Sequence, residues 1–152
     1  MTSTFKTLIF GLMITAALSV ATSHLRAQEL RSLNSYLQEN NLDDPAALLY
    51  LSLRCSAQYA HAASVTQDRP EINSKFESST MELVMFAHRL KSKIAKIDFE
   101  KSMELNMQQF DMMFTAIKSK AEKNWALTGN YGDEMYWADI EVCGAFYEAV
   151  MS

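Results

Sequence analysis

Few residues in this chain have the type and spacing to do chemistry. Met81, Met85 and His88 fall at i, i+4 and i+7, on one stripe of a helix. Thioether and imidazole ligands in that order suit Cu(I), and Met103 and Met107 lie where a neighbouring helix would bring them across. The plainer reading is packing, because methionine fills irregular gaps beside a core stripe. A second group is aromatic. Trp125, Tyr131, Tyr136 and Trp137 cluster around Gly129–Gly132 with Asn130 and Asp133. Rings with polar tips at the end of a bundle form a binding patch or cap the core.

Catalytic constellations are missing. Besides His24, the histidines are His61 and His88, and neither has Glu three residues before it, so the Glu-x-x-His signature of a di-iron bundle is absent. There is no Cys-x-x-Cys-His, no Gly-x-Ser-x-Gly elbow and no phosphate-cradling glycine loop. Glu100 and Glu104 share a helix face but have no partner acid in a contrasting environment. Nucleophile, base and stabiliser cannot all be assigned, so the expectation is a protein that is not an enzyme and needs no cofactor, copper being the one alternative.

The elements that must carry these residues are helices. The chain has 152 residues, 49% hydrophobic and 21% charged, with only four Gly and two Pro. So few breakers argue against a sandwich or barrel and for a few long helices in a single domain. The fold expected is all-α, a four- to five-helix bundle.

Residues 1–27 read as a signal peptide. Lys6 supplies the positive end, Thr7 to Thr22 carries no charge, and small residues suited to cleavage follow between 21 and 27. The uncharged run is about 16 residues, short of the roughly 20 that span a bilayer, so cleavage is expected rather than an anchor. Cleavage after Ala21 would leave Thr22-Ser23-His24 at the new terminus, where an amine, two amides and an imidazole chelate Cu(II). The domain proper is 28–152, exported to a periplasm or the exterior, with no later membrane span. Removing Lys6 and Arg26 from the 14 basic residues leaves 12 against 18 acidic ones, a net of −6. That sign excludes a general nucleic-acid binder. Arg89, Lys91, Lys93, Lys96 and Lys101 crowd the middle, while Asp133, Glu134, Asp139, Glu141 and Glu148 fill the C-terminal segment. Both groups read as solvated faces or as a dipole that docks on a charged partner.

Periodicity places five helices. A short one covers 29–39. Asp44-Pro45 opens a second over 45–64, and Asp68-Arg69-Pro70 opens a third in the same way. The third carries a core stripe of Ile72, Phe76, Thr80, Leu83, Ala87, Leu90, Ile94 and Ile97, spaced by threes and fours. Phe99, Met103, Met107, Phe110, Phe114, Ile117 and Ala121 make another stripe out of phase with it. The phase change predicts a break near Ile97-Asp98-Phe99 with Asp98 as cap, and an antiparallel pair. Leu127 to Gly132 is the clearest loop. Asp133 then caps a last helix that buries Tyr136, Ile140, Cys143, Tyr147 and Val150.

Cys55 and Cys143 both sit on apolar faces, in an exported and therefore oxidising setting, so a disulfide is expected between the second and last helices. Both lie in a Cys-small-Ala-x-Tyr pattern, Cys55-Ser56-Ala57-Gln58-Tyr59 and Cys143-Gly144-Ala145-Phe146-Tyr147, whose small residues let two backbones approach. The plan of signal, bundle and one long-range disulfide resembles acid-protective periplasmic chaperones; no motif is shared with them. With 18 carboxylates and 12 bases, acid would leave a strongly positive chain that loosens while the disulfide holds. The expected function is therefore contact with an unidentified protein partner in the cell envelope, with the acid-protective and copper-binding readings as alternatives.

Overall fold

The computed structural model describes residues 30–152. The expected signal peptide, its cleavage site and the Thr22-Ser23-His24 chelate lie outside the described residues. Five helices follow in order: α1 (Leu33–Glu39), α2 (Pro45–Ser64), α3 (Pro70–Ala95), α4 (Phe99–Thr128) and α5 (Glu134–Met151), with no strand among the described residues.

Local signals set most of the boundaries. Asp44 accepts the Ala46 amide and Pro45 supplies the fixed φ of the first helical position. Asp98 accepts the Lys101 amide at 2.7 Å, so the break falls where the two apolar stripes lose phase. Asp133 does the same for Tyr136 at 2.8 Å. The expected Asp68 cap is not used: Arg69 is the capping residue and makes no side-chain bond. Pro70 alone, with its preset φ, starts that helix. Leu127 and Thr128, expected in a loop, are the last turn of α4. The stop comes at Gly129, whose φ of 71° is the left-handed conformation that releases a helix at little cost to glycine.

Helix α2 is the axis of the molecule. Every residue from Leu51 to Tyr59 is buried. Helices α3, α4 and α5 all pack against it, and α1 rests on α5. One apolar cluster joins Leu33, Leu51, Cys55, Tyr59, Leu83, Cys143 and Phe146; a second joins Ala57, Ile117 and Tyr136. Cys55 and Cys143 are disulfide-bonded with their Cα atoms 5.3 Å apart, across 88 residues of sequence. A Cβ built at Gly144 would touch the Tyr59 hydroxyl at 3.9 Å, an ordinary contact. Tyr59 stacks at a tilt on Phe76, and the Tyr147 hydroxyl donates to Glu82. The paired tyrosines thus tie both disulfide-bearing helices to α3.

The two long stripes need correction. On α3 only Leu83 and Ala87 of the expected stripe are buried, and Ile72 and Ile94 are exposed. On α4 the expected phase holds at Ile117 and Ala121 but not in the first half. There Met103 and Met107 face outward, and their neighbours Ser102 and Asn106 are buried instead. The reason is polar: Ser102 Oγ donates to the His88 carbonyl at 2.7 Å, and the Asn106 amide meets His88 Nδ1 at 3.1 Å. Hydrogen bonds to the buried His88, one to its backbone carbonyl and one to its ring, set the rotation of this segment, at the expense of two methionines.

Candidate functional site

The most concentrated chemistry in the described residues is a buried polar cluster on α2 and α5. Arg54, Gln58 and His61 stand at i, i+4 and i+7 on α2, and Tyr136 and Asp139 at i and i+3 on α5. Arg54 Nη2 donates to Asp139 Oδ2 at 2.7 Å, and Arg54 Nη1 donates to Gln58 Oε1 at 2.7 Å. Gln58 Nε2 reaches the Tyr136 carbonyl at 3.5 Å, and His61 Nδ1 pairs with the Tyr136 hydroxyl at 3.0 Å. The Leu33 amide donates to Asp139 Oδ1 at 2.7 Å. Leu33 is the first residue of α1, so one of that helix's free amides is satisfied by a carboxylate from α5. The side chains of Arg54 and Asp139 are 2% and 0% exposed.

Burial governs the electrostatics. It pushes the Asp139 carboxyl up, against the Leu33 amide and the Arg54 guanidinium that hold it down. It pulls the Arg54 guanidinium down, against Asp139. It raises the Tyr136 hydroxyl above its usual range and lowers His61. Desolvation of this size is repaid only where hydrogen bonds satisfy both charges. Here Asp139 uses both oxygens, while Arg54 Nε has no partner.

The sequence places Asp139 among solvated acids. The signal that would have found it is its register: it lies three residues from Tyr136 and four from Cys143, on the face expected to be buried. Arg54 carried a signal too. Between Asp44 and Asp68 it is the one residue with a fixed charge, the mark of a helix buried all round.

The residues singled out from sequence separate. Met81 is 67% exposed and Met85 is also exposed, whereas His88 is 1% exposed. His88 is turned inward to Asn106 and Ser102, and Phe99 meets its ring edge-on. Met103 and Met107 are exposed on α4, as are Met112 and Phe99. Met81 and Met85 keep the helical stripe they share with His88, but the start of α4 covers only the histidine, through Phe99, Ser102 and Asn106. Among the described residues no group of three or more His, Cys, Asp or Glu is placed to hold a metal ion.

The aromatic group also divides. Trp125 stacks on Tyr131 with ring centres 4.5 Å apart, and Trp137 meets Tyr136 edge-on at 5.2 Å. Tyr136 is core, bonded to His61; Trp125 and Trp137 are half-exposed, and Leu127 beside them is 85% exposed. Gly132 lets the indole of Trp137 lie against the loop, since a Cβ there would meet its ring at 2.5 Å. No helix among the described residues is long and apolar enough to cross a membrane. Comparison with protein-family models, with curated proteins and with solved structures finds no match.

Proposed function

We propose that this is an exported, non-enzymatic helical bundle that works by protein contact, through the methionine-rich outer surface of α3 and α4. The observation that carries the reading is the exposure of Met81, Met85, Ile94, Phe99, Met103, Met107 and Met112 on one antiparallel hairpin. So many exposed large apolar side chains on two adjacent helices offer a partner apolar area to cover. Methionine, unbranched and polarisable, adapts to apolar partners of varied shape. The rigid axis beneath, clamped by the disulfide and the Arg54–Asp139 pair, lets that surface stay exposed without endangering the fold.

Changing Met81, Met85, Met103, Met107 and Met112 together to Gln tests this. Each is at least a third exposed. The expected stability change is small, about 2 kcal/mol or less in total. Partners recovered with the tagged wild type from the envelope fraction should be lost with the variant. Equal recovery by both proteins would overturn the reading.

An acid-protective role is a second reading, favoured by two buried imidazoles. Burial holds His61 and His88 below the usual histidine range. Around His61 stand Tyr136, Tyr131 and Phe114, with Glu122 raising and Lys118 lowering its pKa; around His88 stand Ser102, Asn106 and Phe99. The sign follows. Below the free histidine value of 6.5 the unfolded chain binds protons that the folded state refuses. The stability these residues contribute is present above that pH and is lost as pH falls toward their folded values. Asp139 works the other way: its raised carboxyl contributes stability in acid, lost as pH rises through its folded value. Asp133 is raised by burial, but the Lys120 ammonium and the Tyr136 amide hold it below the usual carboxylate range overall. Its contribution is lost only in stronger acid. The urea midpoint should therefore fall between pH 7.5 and 5. A His61→Gln/His88→Gln variant should show a flatter profile whatever its absolute stability, and an unchanged slope would exclude these two residues.

A further inference from the structure

We infer that the molecule binds a small amphiphilic carboxylate in a cavity of about 850 Å³ floored by Arg54 and walled by the second half of α4, the start of α5 and residues 30–32. The volume lies in the range of ligand sites, roughly 300–1,000 Å³. Four basic residues line it, Arg31, Arg54, Lys120 and Lys123, against two acids, Asp133 and Asp139. Both acids are already paired, Asp133 with Lys120 at 2.8 Å and Asp139 with Arg54 at 2.7 Å. Arg31 is held by Glu39, while Lys123 makes no ion pair among the described residues. The cavity therefore presents a positive excess to whatever enters.

The floor gives the second observation. Arg54 is 98% shielded from solvent, with its Nη atoms committed to Gln58 and Asp139, and its Nε has no acceptor. A buried N–H without a partner costs about 1–3 kcal/mol, so the guanidinium at the floor is not fully satisfied by its protein partners. A single lysine without an ion pair, Lys123, suits a monoanion better than a phosphate dianion, which needs several donors. The rest of the wall is mixed: Ser32, Gln58, Ser119 and Asn124 are polar, and Leu30, Ile117, Met135 and Tyr131 give it an apolar and aromatic part. That part matches a hydrocarbon or aromatic body attached to the acid.

The chemistry has two sources, a fatty acid and an aromatic acid. Calorimetry on the oxidised protein at low salt separates them with decanoate below its micelle concentration, 2-naphthoate, decanol and inorganic phosphate. At least one of the two carboxylates should bind, at least ten-fold more tightly than decanol, with phosphate weaker still. Tyr131 lines the cavity and stacks on Trp125, so binding should change the Trp125 fluorescence. Because Arg54 variants risk the fold, the site is tested at its exposed rim. Ser119→Trp should abolish binding by filling the mouth, and Lys123→Glu should weaken it at least five-fold, both at unchanged Tm. No binding by either carboxylate, decanol binding as tightly, or both variants binding as the wild type does would overturn the assignment. Loss of binding in the five-methionine variant with retention in Ser119→Trp would place the ligand on the outer surface instead, and would also overturn it.

Discussion

Asp139→Asn is expected to cost about 3–5 kcal/mol of stability, a fall of roughly 10–20 °C in Tm. The substitution keeps an oxygen for the Leu33 amide but removes the charge facing Arg54. The guanidinium is 2% exposed, so it cannot regain water without opening the α2–α5 contact. An uncompensated buried charge is what makes breaking such a pair so much worse than never having it. The diagnostic is the double variant Arg54→Met/Asp139→Asn, which removes both charges and nearly preserves volume. It should recover most of the loss. If Asp139→Asn unfolds at the wild-type temperature, the pair is not the clamp described above.

Loss of the disulfide is the other large effect. Joining positions 88 residues apart removes much of the unfolded chain's freedom. The chain-entropy model gives about 4–5 kcal/mol for a loop of this size. Cys55→Ala/Cys143→Ala is the appropriate variant, since serine would bury two hydroxyls in an apolar cluster. Total stabilities of small domains are about 5–15 kcal/mol, so this variant should be marginal at physiological temperature. Its urea midpoint should match that of the reduced wild type and lie far below that of the oxidised protein. Equal midpoints for oxidised and reduced protein would contradict the staple. Cys143 and Asp139 lie one turn apart on α5, so the two losses should not add. Once either anchor is gone, α5 can detach and the other has less to hold.

Most of the architecture was legible in the residues. Proline and aspartate at helix starts, the phase break at Asp98 and two cysteines on apolar faces place five helices and their bond. Those signals are local, or need only one long-range inference. What was not legible is where polar groups pair inside. The first half of α4 offers Met103 and Met107 as the obvious core face, yet Ser102 and Asn106 take it to satisfy His88. Periodicity measures hydrophobicity alone and is blind to a donor waiting on another helix. The same blindness hid Arg54 and Asp139, each unremarkable alone and decisive as a pair. It also turned the methionines from core filler into exposed surface, which is the ground for the proposed function.

Contact through that surface is tested most directly by site-specific photo-crosslinking in the envelope. A photoreactive residue is placed in turn at Met85, Met107, Glu122 and Glu141, all exposed. The proposal predicts discrete protein adducts from Met85 and Met107 and none from the two glutamate positions. No adduct from either methionine position, or the same adducts from all four, would contradict it.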